Sequence, residues 1–138
     1  MNDPIWMPCA AMVGLTALVW VKLYWDRIGE MRARRIDAQE LATVAAAAGR
    51  LERPEAADNF RNLFEVPVLF YVLCIALVVN GGSTPGFVTA AWAYVALRSL
   101  HSLVHVTYNR VMHRFLVYVA STLLLFAMWG AFLARVTA

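Results

Sequence analysis

Charge is what this chain has least of. Asp, Glu, Lys and Arg together make up 15% of its 138 residues, and 62% are hydrophobic. An average soluble domain carries roughly a quarter charged residues. With a mean hydropathy of +0.61, the shortage argues against an ordinary soluble domain and places the chain in the membrane class, long enough for one domain over 1–138. Cysteine is also scarce. Cys9 and Cys74 each lie inside an apolar run, so they form neither a disulfide framework nor a zinc motif and read as buried thiols. The first apolar run lacks a basic region ahead of it and exceeds the about 7–15 residues of a signal-peptide core, so it is expected to be retained. No internal repeat is evident. Six of the twelve Lys/Arg (Arg27, Arg32, Arg34, Arg35, Arg50, Arg53) crowd between the first two apolar runs. That placement is a poor nucleic-acid signature, so no nucleic-acid partner is expected, and a good signal of topology.

Four spans emerge from a window of about 20 residues: roughly 5–25, 60–79, 86–108 and 111–134. Lys22 can snorkel from the first to the interface. The connector "NGGSTPG" (80–86) is a tight turn, and the one around Asn109 and Arg110 is short, so spans three and four form a helical hairpin. The expected fold is all-α, a four-helix membrane bundle. The 26–58 segment mixes both charge signs around an Ala-rich middle and is expected to prolong helix one before turning back. Pro54 marks a helix start with Pro at the first position, and Pro67, which frees the carbonyl of Leu63, a kink. The positive-inside rule puts this loop in the cytoplasm, with both termini opposite, and the membrane is expected to be a bacterial inner membrane.

The charge-free parts of spans two and three, 66–79 and 86–97, run about 14 and 12 residues, and neither crosses a bilayer alone. Polar groups must enter with them: Arg61, Asn62 and Glu65 in span two, Arg98, His101 and His105 in span three. The helices run in opposite directions, so both sets converge at one depth. Arg98, His101 and His105 share a helix face at i, i+3, i+7. Arg61 and Glu65, at i, i+4, could pair. His113, Arg114 and Tyr118 open span four. The expected result is an electropositive pocket closed by one acid. Interhelical glue is the plainer account, with Glu65–Arg98 as a buried pair, but glue does not call for three arginines against one glutamate. The i, i+4 histidines suggest zinc, yet Arg98 and Arg114 oppose a divalent cation, and no metal is expected.

These residues resemble a known family. "FRNLFEVPVLF" is similar to the second-helix Arg-Asn-x-x-Glu signature of the MAPEG family, membrane-associated proteins in eicosanoid and glutathione metabolism. "RSLHSLVHV" is similar to its third-helix Arg-x-x-His. "GEMRAR" resembles the end of helix one in the prostaglandin-E-synthase branch and maps a glutathione-contacting arginine onto Arg32. Arg114 and Tyr118 stand where that branch has an arginine and, one turn later, a tyrosine. The resemblance implies a homotrimer that binds glutathione between subunits near the cytoplasmic face, with a lipophilic substrate entering from the bilayer. The implied glutathione-binding set is Arg32, Arg61, Asn62, Glu65, Arg98, His101 and His105, with Arg114 and Tyr118 catalytic. Two positions depart: Phe115 replaces a serine, which removes a donor, and His105 replaces a tyrosine. The expected function is a glutathione-dependent transferase or peroxidase acting on hydrophobic electrophiles or lipid hydroperoxides, with Arg114 stabilising the thiolate. The alternative is a non-catalytic protein of the same fold that binds glutathione or another anionic, lipid-like ligand.

Overall fold

The computed structural model describes residues 3–138, and Met1 and Asn2 of the expected 1–138 domain lie outside the described residues. Helix α1 (Trp6–Arg34) has 29 residues, about 44 Å at 1.5 Å per residue. That exceeds a hydrocarbon core of about 30 Å, so its charged last turns project beyond it. They are held by i, i+4 pairs, Lys22–Asp26 at 2.7 Å and Arg34–Glu30 at 2.8 Å. Arg35 ends the helix in the left-handed conformation (φ 55°), with its N–H on the Met31 carbonyl. Arg32 and Arg34 in the last turn complement the helix dipole.

The chain then makes a single 3₁₀ turn (Ala38–Leu41), closed by a capping box between Asp37 and Glu40. The short helix α2 (Val44–Arg50) follows, with the Thr43 hydroxyl capping Ala46. Helix α3 (Glu55–Leu63) uses Pro54 as its N-cap, one position earlier than expected. Pro67 does more than kink the second span. It lacks the N–H that would meet the Leu63 carbonyl, and the helix breaks at Phe64–Glu65, where Glu65 adopts φ −93°, ψ −107°. Helix α4 (Val66–Val79) restarts with Pro67 in its first turn.

Helices α5 (Pro85–Val106) and α6 (Val111–Thr137) form the expected hairpin, α5 ending two residues sooner and α6 three later than expected. Among the described residues there is no strand. Four helical stretches are long and apolar enough to cross a membrane: Trp6–Arg34, Glu55–Val79, Pro85–Val106 and Val111–Thr137. The protein is a multi-pass integral membrane protein. Large apolar side chains such as Leu18, Val79 and Leu123 face outward, as lipid-facing surfaces require. Inside, Phe70 stacks on Tyr94 with ring centroids 4.6 Å apart, packed with Met12, Leu73 and Leu125.

Two contacts gather the N-terminus, the α4–α5 turn and the C-terminus at one end. Asp3 accepts hydrogen bonds from the Ser83 amide and hydroxyl, and Arg135 donates to the Gly82 carbonyl at 2.9 Å. Gly82 (φ +93°) permits this approach, since a Cβ there would lie 2.9 Å from Asp3 Oδ2. The 35–54 segment and the α5–α6 connector occupy the opposite end.

Candidate functional site

The break in span two creates the site's first partner. Ending α3 at Leu63 leaves carbonyls of its last turn without their usual helical donors. Arg98 lies fully buried against that end, where the helix dipole is negative. Its Nη2 donates to Asn62 Oδ1 at 2.6 Å and to the Asn62 carbonyl at 3.4 Å. The guanidinium also lies 5.7 Å from the Tyr118 ring centre, within cation–π range. Its Nε and Nη1 are buried without a hydrogen-bond partner among the described residues.

One helical turn on, His101 Nδ1 lies 3.1 Å from the Arg114 carbonyl. A carbonyl only accepts, so this contact fixes the proton on Nδ1 and leaves Nε2, which is buried and unpartnered. His105 has the same tautomer for the opposite reason. Its Nε2 is 3.2 Å from Arg114 Nη1, and a guanidinium only donates, so Nε2 accepts and Nδ1 carries the hydrogen. Arg114 Nη1 also donates to Asn109 Oδ1 at 2.7 Å. Asn109 adopts φ 45°, a left-handed conformation that asparagine tolerates better than most residues. Both histidines are therefore hydrogen-bonding members of the cluster, each with a hydrogen on Nδ1. His113 is exposed and meets the Tyr108 hydroxyl instead.

The structure thus joins Asn62, Arg98, His101, His105, Arg114 and Tyr118 into one continuous cluster. Glu65 reaches its edge through Asn62 Nδ2 at 3.4 Å. Two expected pairs are absent among the described residues. Arg61 does not pair with Glu65, because the helix break falls between them; it lies exposed, 3.9 Å from Asp58. Glu65 does not pair with Arg98; it is exposed while Arg98 is buried. Arg61 and Arg32 both stand outside the cluster. Arg61 lines a cavity among α1, α2 and α3, and Arg32 a surface groove with Ile28 and Met31. Phe115, beside Arg114, faces outward.

Four further residues belong to the cluster. Asn59 is fully buried and accepts from the Ser102 hydroxyl at 3.2 Å. Asn109 positions Arg114, and Tyr94 buries an unpartnered hydroxyl one turn before Arg98. Spacing held the signal for two of these: Asn59 is three before Asn62, and Ser102 four after Arg98.

Fold and cluster together define a four-helix integral membrane protein with a buried cationic site at the broken helix. The MAPEG family model matches residues 5–134. The chain belongs to the MAPEG family and so to the membrane proteins of glutathione and eicosanoid metabolism. Neither a curated protein nor a solved structure matches it.

Proposed function

We propose that this protein is a glutathione-dependent transferase or peroxidase acting on apolar electrophiles or lipid hydroperoxides. Arg98 carries the reading. It is a fully buried cation with two unpartnered donors, and no side-chain carboxylate lies within ion-pair distance among the described residues. Buried charge is costly unless paired, so the site suits an anion. Glutathione fits the groups present: Arg98 matches a carboxylate, and Glu65, unclaimed by either arginine, matches the ammonium. Arg32 and Arg61 lie apart from the cluster in one protomer, which supports a homotrimer whose neighbours complete the site. The arginines of the 26–58 segment support a cytoplasmic location for that end.

Glutathione would supply a thiol whose ionised sulfur displaces a leaving group from the electrophile, or attacks the terminal oxygen of a hydroperoxide, breaking the O–O bond and releasing the alcohol, with a second glutathione converting the resulting sulfenic acid to the disulfide and water. Arg114 favours the thiolate. His105 and Asn109 engage only its Nη1, leaving the rest of the guanidinium for the sulfur. Its place in the first turn of α6 adds the helix's partial positive charge. An unperturbed thiol titrates near pH ~8.5, so both effects increase the nucleophilic form at neutral pH. Tyr118 supplies an O–H donor one turn further on.

One observation favours a binding protein without turnover: Arg114 is already held by two neighbours, while Phe115 offers no hydroxyl. Glutathione titration of detergent-purified protein, followed by conjugation with an aryl halide, separates the two readings. Arg114→Ala should lose turnover by about 100-fold, the scale for one electrostatic donor, and lose thiolate ultraviolet absorbance while keeping glutathione affinity. Binding without turnover in the wild type establishes the second reading. No binding overturns both.

A further inference from the structure

At the loop end, on a face of α3 other than the one that meets the Arg98 cluster, α1, α2 and α3 enclose a cavity of about 110 Å³. Each helix presents one face to it. Leu23, Arg27 and Glu30 come from α1, and Ala57, Asp58 and Arg61 from α3. The Ala-rich helix α2 brings Ala47, whose short side chain leaves the space unfilled. Arg53 enters from the α2–α3 link.

The charges are unequally committed. Glu30 is spoken for: it accepts from Arg34 Nη1 at 2.8 Å and from the Glu52 amide at 2.7 Å. Asp58 is only 3.9 Å from Arg61, with both side chains largely exposed. Among the described residues no carboxylate lies within ion-pair distance of Arg27 or Arg53, and Arg27 Nε is buried without a partner. Three arginines and two acids thus line the cavity, and the acids are engaged by Arg34 and Arg61, which leaves Arg27 and Arg53 facing it without an acidic partner.

Depth supplies the second half of the inference. The apolar run of α1 stops at Trp25, two residues before Arg27. Trp20, Tyr24 and Trp25 are exposed at that level, the position of an interfacial aromatic belt. By that belt, the cavity falls at the depth expected of headgroup phosphates. Basic hollows between membrane helices at this depth bind anionic headgroups. The volume suits a phosphate group and is too small for a tripeptide. The geometry points to a phosphate-oxyanion site formed by Arg27 and Arg53, filled by the headgroup of an anionic phospholipid or by a soluble phosphate. The site lies within one protomer and requires neither glutathione nor turnover.

The test uses the full chain in phosphatidylcholine nanodiscs, with or without phosphatidylglycerol, and reads the melting temperature. Phosphatidylglycerol should raise it by about 3–5 °C in the wild type, the scale of a site near saturation. Ala47→Leu fills the cavity while keeping every charge, and should abolish the shift. Arg53→Gln, at an exposed position, should reduce it. Arg50→Gln should retain it, because Arg50 pairs with Glu40 outside the cavity. If inorganic phosphate in pure phosphatidylcholine gives the full shift, and Ala47→Leu removes it, the site stands with a soluble ligand. The proposal is overturned if neither phosphate source shifts the wild type, or if Ala47→Leu and Arg53→Gln keep the whole shift. Glutathione affinity should be unchanged in Ala47→Leu, so failure here is distinguishable from failure of the glutathione reading.

Discussion

Arg98 combines full burial, one amide partner and a place at the end of a broken helix. Each unpartnered buried donor costs about 1–3 kcal/mol, so the residue is a burden on the fold that a ligand could relieve. Arg98→Met keeps the side-chain length and removes the charge. Asn62 is only half-buried, so water can replace its lost partner. The expected outcome is a melting temperature equal to or above wild type, with glutathione affinity reduced about tenfold or more, the scale of hydrogen bonds to a charged group. Melting curves and calorimetric titration on the same preparation check both halves. A large loss of stability with intact affinity would mark Arg98 as interhelical glue.

Asn109 gives a cleaner separation, because backbone and side chain make separate demands there. Asn109→Gly keeps the positive φ without strain but deletes the oxygen that holds Arg114. Asn109→Ala deletes it too and adds about 1 kcal/mol of left-handed strain. Turnover should fall equally in both, while only Asn109→Ala lowers the melting temperature. Unequal turnover would mean that Arg114 is positioned by the connector's backbone rather than by the Asn109 amide.

Among the elements, the second span shows what the sequence disclosed and what it withheld. Hydropathy located the apolar residues of all four spans, since that signal depends on composition alone. The i, i+3, i+7 face of Arg98, His101 and His105 was equally legible, since α5 is unbroken across them. The Arg61–Glu65 pair does not form because i, i+4 pairing presumes a continuous helix, and Pro67 breaks this one between them. Arg61 instead faces α2, whose position depends on tertiary packing of an Ala-rich segment with no strong pattern of its own. Asn109 was hidden for a related reason: a connector's conformation leaves no hydrophobic period to read. Pro67→Ala tests the break directly. Restoring an N–H for the Leu63 carbonyl should join α3 and α4 and withdraw the carbonyl end from Arg98. Stability should hold or rise while glutathione affinity falls. Unchanged affinity would show that the break does not shape the site.

For the whole molecule, the staple at the termini end should make stability depend on pH. Burial pushes the Asp3 carboxyl upward, but hydrogen bonds from Ser83 and Ile5 outweigh it and hold its pKa below the ordinary 3.8. A carboxyl depressed in the folded state stabilises above its unfolded pKa and loses that contribution as pH falls through the folded value. The melting temperature should therefore decline below about pH 4 in the wild type. Asp3→Asn should start lower and show less of that decline. Parallel curves for the two proteins would assign the acid sensitivity to other carboxylates.

The clasp between Arg98 and the end of α3 also bears on the order in which the chain is built. No Asp or Glu occurs after Glu65, so the hairpin of α5 and α6 carries Arg98, Arg110, Arg114 and Arg135 without a single acidic side chain of its own. On leaving the ribosome, that hairpin enters the bilayer with its buried cation unmatched unless the first half has already inserted and its helix has already broken at Pro67. The N-terminal half thus serves as a receptor for the C-terminal half during biosynthesis. Expressed as separate pieces, residues 1–80 should insert and persist alone, whereas residues 81–138 should be degraded unless the first piece is present in the same membrane.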